Sequence, residues 1–142
     1  MREKIVAEAR SWIGTPYHNC ADIKGVGVDC GMLLVRVYCD LGLVPRFDPR
    51  PYTAQWHLHR DDERYLDGLT AHAKKVDAPQ LGDAMLFRVG RAWSHGGIVT
   101  RADPLVIVHA SQPAGIVLEE SVFRNGRLRA APAMFACLVG DK

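Results

Sequence analysis

The chain has 142 residues, 48% of them apolar, and a formal net charge of +2, which suits one domain with a core of its own. No dense Lys/Arg tract is present, so nucleic acid is not an expected partner. No apolar run is long enough to span a bilayer, and Met1-Arg2-Glu3-Lys4 leads into an amphipathic pattern instead of a signal core. Neither a membrane anchor nor a signal peptide is therefore expected.

Residues 2–13 predict a first helix, with Ile5, Val6, Ala9, Trp12 and Ile13 at helical spacing and Gly14 and Pro16 as its stop. Thr15 to Val28 reads as a loop, given backbone freedom by Gly25 and Gly27, that leads to Asp29 as an N-cap. A second helix is expected from about Cys30 to Leu41, with Leu33, Leu34, Val37, Tyr38 and Leu41 as a buried stripe and Gly42 closing it. A Pro- and Arg-rich connection over Val44–Tyr52 and a polar helix from about Asp61 to Lys75 follow. The section at about 44–76 thus reads as an insertion or lid within a single domain spanning 1–142.

From Gly82 onward the pattern changes to strands: Ala84–Val89, Trp93–Thr100, Leu105–Ala110, Gly115–Leu118 and Met134–Val139. Helices followed by a meandering antiparallel sheet predict an α+β fold, with one face of the sheet packed on the second helix. Asp83 is expected to stabilise the turn that enters the sheet.

Chemistry concentrates at Cys30, in Val28-Asp29-Cys30-Gly31-Met32, where a glycine-containing loop gives way to a helix. The helix dipole and unpaired backbone N–H groups favour a thiolate there, so Cys30 is expected to be a nucleophile of lowered pKa. Two histidines follow, His95 in Ser94-His95-Gly96-Gly97 and His109 in Val108-His109-Ala110-Ser111. With Ala102 at the centre of the turn between their strands, the two face each other directly, Cβ atoms about 5 Å apart. His95 then takes the thiol proton and His109 holds its other ring nitrogen, making a Cys/His/His triad. Gly96 and Gly97 are read as letting the nucleophile helix approach closely. Backbone N–H groups at the helix start, that of Cys30 included, serve as oxyanion donors, and Tyr17, Asp29, Gly31 and Ser94 are the candidate substrate-binding and oxyanion residues.

Each residue alone has a blander reading. A lone buried cysteine is most often an inert small hydrophobe, and a single histidine is more often structural than catalytic. The approach loop, the N-cap aspartate and the facing pair reverse that balance. Cys30 and Cys39 lie on opposite faces of one helix at about 100° per residue, and all four cysteines (Cys20, Cys30, Cys39, Cys137) read as free thiols. A zinc site from Cys20, Cys30, His95 and His109 is the competing reading; no metal or organic cofactor is otherwise expected. His57, His59 and His72 read as solvated.

Gly14-Thr15-Pro16-Tyr17, Asp29-Cys30, Gly82-Asp83-Ala84-Met85-Leu86-Phe87, Ser94-His95-Gly96-Gly97-Ile98-Val99 and Val108-His109-Ala110-Ser111 resemble, in order, the motifs of the NlpC family of cell-wall cysteine peptidases. That resemblance implies a papain-like fold and hydrolysis of amide bonds in peptidoglycan stem peptides, typically between D-glutamate and a diamino acid. It casts Cys30 as nucleophile, His95 as base, His109 as third polar residue and Tyr17 as the tyrosine lining the site. Two positions differ from the family pattern: Gly31-Met32 replaces Ser-Gly, and His18-Asn19-Cys20 replaces Trp-Gly-Gly.

A short member of this kind resembles the phage-tail and prophage branch, which implies an enzyme held in the cytoplasm until assembly, with tail-tip proteins as partners. Two other classes compete with the peptidase. One is a catalytically silent tail-assembly module; the other is an amidase or acyltransferase acting on a different substrate.

Overall fold

The structure, a computed structural model, describes residues 1–50, 64–89 and 92–140. Helix α1 (Arg2–Arg10) and helix α2 (Cys30–Asp40) pack on an antiparallel sheet of six strands. In chain order these are β3 (Lys74–Val76), β4 (Ala84–Val89), β5 (Ala92–Ala102), β6 (Leu105–Ser111), β7 (Ile116–Ser121) and β8 (Ala133–Cys137). The approach to α2 carries a two-stranded ribbon, β1 (Asp22–Ile23) with β2 (Gly27–Val28), where the sequence suggested only loop. The architecture is α+β.

Helix α2 forms because its apolar residues recur at helical spacing behind a good cap. Asp29 is extended (φ −105°, ψ 178°) and its carboxylate accepts the N–H of Met32. Leu33, Leu34, Val37 and Tyr38 are fully buried, each contributing about 2 kcal/mol of apolar transfer. The Tyr38 hydroxyl donates to the Gly82 carbonyl at 2.8 Å, which ties the helix to the entrance of β4. Asp83 sits beside it, accepting from Gln80 N–H and pairing with Arg2 at 2.8 Å, so it does hold that turn.

Strand alternation divides the core. Ala84, Leu86, Ile98, Val108 and Ala110 face the helices, while Met85, Phe87, Val99 and Ile107 face the other way, where Val122 and Leu128 cover them. Val122–Arg124 is a 3-10 turn and Leu128 lies on a short helix α4 (Gly126–Ala130).

Several expectations require correction. The sheet order is β3-β8-β4-β5-β6-β7: the last strand returns to pair with β4, which interrupts the meander. The polar helix, α3 (Arg64–Thr70), ends at Thr70, and Lys74–Val76 is an edge strand instead; the part of that helix expected at 61–63 lies outside the described residues. Val44 and Leu69, within the suggested insertion, are buried in the main core.

Candidate active site

Tyr17, Cys30, Ser94, His95 and His109 line one cavity of about 220 Å³, together with Ser111, Asn125 and Arg127. The start of α2, strands β5 and β6, and α4 contribute most of its lining, with Tyr17 from the approach loop and Val89 from the end of β4. None of the described residues of 44–76 lines it.

The Cys30 side chain is almost wholly enclosed, 5% exposed. Its thiol donates to the Ser94 carbonyl at 3.4 Å and is approached by the backbone N–H groups of Gly31 and Gly96 and by its own. The Tyr17 hydroxyl is hydrogen-bonded to the same sulfur. Burial, then the Asp29 carboxylate, pushes the thiol up despite those three N–H donors. Burial therefore opposes the lowered pKa expected from the helix start. A dipole worth about 1 kcal/mol loses to desolvation of a buried anion.

Asp29 is not among the cavity-lining residues. Both of its oxygens are engaged in local structure, Oδ1 accepting from Met32 N–H at 2.8 Å and Oδ2 from Cys20 N–H at 2.7 Å. That second bond holds Cys20 in the left-handed region, φ +63°, and so shapes the loop that carries Tyr17. Asp29 thus ties the approach loop to the start of α2.

His95 Nε2 and His109 Nδ1 are 2.8 Å apart, with the rings edge to face. The register that produces this differs from the expected one. Ile98 pairs with Val108 and Val99 with Ile107, then a bulge at Thr100 shifts the pairing to Arg101–Val106. Continued toward the histidines, that ladder sets His109 opposite Gly97, two residues from His95. A two-residue offset preserves the face, so the rings still meet, diagonally. Gly97 is what makes room: a Cβ there would lie 2.9 Å from Ile107 Cδ1 and 3.2 Å from His109 Cβ. The glycine serves the packing of β5 on β6, not the approach of the helix.

Burial, reinforced by His109 and Arg127, pushes His95 down to about 3. His109 is lowered by burial too, with Glu120 opposing through a hydrogen bond and its charge. Glu120 was invisible to the sequence reading. Its Oε2 lies 2.5 Å from His109 Nε2 and also accepts from Asn125 Nδ2 at 3.3 Å. On β7 it stands two residues beyond Leu118, which pairs with His109, so only the β6–β7 register could have disclosed it. Among the described residues no disulfide joins the four cysteines. Among the described residues, Cys20, Cys30, His95 and His109 form no metal-holding cluster. His57 and His59 lie outside the described residues, and His72 is exposed.

No protein-family model and no curated protein matches the chain. Solved structures do. The NlpC/p60 domain of the peptidoglycan hydrolase SagA aligns over 96% of this chain and 97% of its own, with 24% identity and a TM-score of 0.60. The fold is that of the NlpC/p60 domains. NlpC1 from Trichomonas vaginalis superposes with a TM-score of 0.69 at 16% identity over 96% of this chain, which spans 43% of that protein's length. An N-acetylmuramoyl-L-alanine amidase from Bacteroides uniformis superposes with a TM-score of 0.63 at 12% identity, over 96% of this chain and 98% of its own. The NlpC/p60 fold thus extends over nearly the whole chain.

Proposed function

We propose that the protein is a cysteine hydrolase that cleaves amide bonds in peptidoglycan stem peptides, with Cys30 as nucleophile, His95 as base and His109 as its orienting partner. The observation that carries this reading is the convergence of Cys30, His95, His109 and Tyr17 on one cavity, with backbone N–H groups gathered at the sulfur. The solved neighbours named as a peptidoglycan hydrolase and a muramoyl-alanine amidase point to the substrate class. Arg127, which lines the cavity, suits stem peptides, which carry free carboxylates.

In this reading the thiol and imidazole are both neutral at rest, since burial raises one and lowers the other. The thiol proton passes to His95 as sulfur attacks the scissile carbonyl, and backbone N–H groups at the helix start receive the oxyanion. His95 returns the proton to the leaving amine, and a thioester remains on Cys30. Water, deprotonated by His95, then releases the acid and restores the thiol. The bond between D-glutamate and the diamino acid is the one the sequence resemblance points to, and a virion tail tip is the carrier it implies.

Incubation with purified muropeptides and mass analysis of the products tests the proposal. The expected result is fragments that together gain one water at an amide bond, absent with Cys30→Ala. Cleavage within the peptide marks an endopeptidase, and release of the whole peptide from the sugar marks an amidase. Unchanged muropeptides with folded wild-type protein overturn the reading.

A further inference from the structure

We propose that Glu120 is a positioning residue that sets the tautomers of both active-site histidines, so that Nδ1 of His95 is the bare nitrogen left to receive the thiol proton. This rests on the reading of Cys30 and His95 as nucleophile and base, and it assigns a role to a residue outside the expected triad.

The argument follows the protons outward from the carboxylate. An ionised carboxylate only accepts hydrogen bonds, so the 2.5 Å contact to His109 Nε2 places a proton on that nitrogen. A neutral imidazole carries one N–H, which leaves His109 Nδ1 bare. The 2.8 Å contact between His109 Nδ1 and His95 Nε2 needs one proton, and that proton must therefore sit on His95 Nε2. His95 has no second N–H in its neutral form, so its Nδ1 is bare.

Without the carboxylate, the reverse chain satisfies the central contact equally well. His109 Nδ1–H would donate to His95 Nε2, and the proton of His95 would move to Nδ1. That nitrogen could then accept nothing from a thiol. Glu120 breaks the tie.

Asn125 fixes the carboxylate in turn. Its Oδ1 accepts the N–H of Leu128 at 3.1 Å as the N-cap of α4, which forces its amide nitrogen toward Glu120 Oε2 at 3.3 Å. The Glu120 oxygen thus faces two donors, His109 Nε2–H and Asn125 Nδ2–H. This run of hydrogen bonds, from the α4 cap through Glu120 and His109 to His95, links β7 to the base. When His95 becomes an imidazolium during attack, the same carboxylate lies two hydrogen bonds away with opposite charge.

The test uses protein with 15N-labelled histidine and long-range 1H–15N correlation spectra near pH 7.5, which distinguish bare from protonated ring nitrogens. In wild type both His95 and His109 are expected as Nε2–H tautomers. Glu120→Ala is expected to give His95 a mixture of Nδ1–H and Nε2–H forms, and to lower kcat on muropeptides by about 10- to 100-fold, the scale for lost orienting partners, with KM unchanged. Glu120→Gln, whose carbonyl oxygen still accepts from Nε2–H, is expected to retain both the tautomers and most of kcat. A wild-type His109 protonated on Nδ1, or tautomers unmoved in Glu120→Ala, overturns the proposal. The wild-type spectrum decides even if the alanine variant fails to fold. It is also independent of turnover, so absent hydrolysis with the expected tautomers would refute the proposed function alone.

Discussion

Acidification should destabilise the protein through His95, and the size of the effect can be worked from its surroundings. His95 is depressed in the folded state from 6.5 to about 3, so as pH falls the unfolded chain takes up the proton first. The stabilisation is present above pH 6.5 and is lost as pH falls toward the folded value. At pH 5 an unfolded imidazole of pKa about 6.5 is almost fully charged while the folded one is not, a difference of about 2 kcal/mol in favour of unfolding. Because pH 5 lies well above the folded value, that figure depends mainly on the unfolded one. With a urea m-value of about 2 kcal/mol per molar, it moves the midpoint down by about 1 M between pH 7.5 and pH 5. His109, lowered in the same direction, adds to the slope in both wild type and a His95→Gln control. Urea titrations of the two proteins at each pH isolate the His95 share. An equal fall in both midpoints would show that His95 is not held neutral by burial, and the neutral resting pair in the proposed mechanism would fall with it.

Iodoacetamide should modify Cys30 slowly at neutral pH and faster as pH rises above 9, because burial and Asp29 raise the thiol; with Cys30→Ala as the blank, a plateau near neutrality that His95→Ala removes would instead reveal a thiolate–imidazolium pair at rest. Hydrolysis of muropeptides should fall by several orders of magnitude in His95→Ala but only in part in His109→Asn, whose side-chain carbonyl can still accept from His95; equal losses in two folded variants would remove the orienting role. Gly97→Ala should lower stability by about 1–3 kcal/mol, as overpacking does, since its Cβ would sit 2.9 Å from Ile107 Cδ1 and 3.1 Å from the Val108 carbonyl. A thermal melt unchanged from wild type would show that β5 and β6 are less closely packed than described.

Local signals and long-range ones had different fates. The Asp29 cap, the apolar stripe of α2 and the extent of β4 depend on neighbours within a few residues, and the structure reproduces each of them. The partner of β8 depends on residues far apart in the chain, and strand spacing alone suggested a meander that the structure breaks. The histidine pair lies between these cases. Its facing direction depends on parity, which alternation carries, whereas its pairing depends on the bulge at Thr100, which no periodicity announces. Glu120 needs a second register on top of the first, and for that reason it was missed.

The thiol illustrates why a motif read for its residue types can point the wrong way in its electrostatics. Sequence supplies the donors at a helix start, and the structure does gather three N–H groups at the Cys30 sulfur. The same fold, however, buries that sulfur and sets the Asp29 carboxylate beside it, because the residue that caps the helix immediately precedes Cys30. The cap and the activated thiolate therefore compete at one place. A thiol that is neutral at rest reacts only if its proton leaves as the sulfur attacks, so the base must already present a bare nitrogen to it. In the mechanism proposed above, the controlling feature would then be not the thiol's own acidity but the placement of protons on the two imidazoles, which begins at the Glu120 carboxylate two hydrogen bonds from His95.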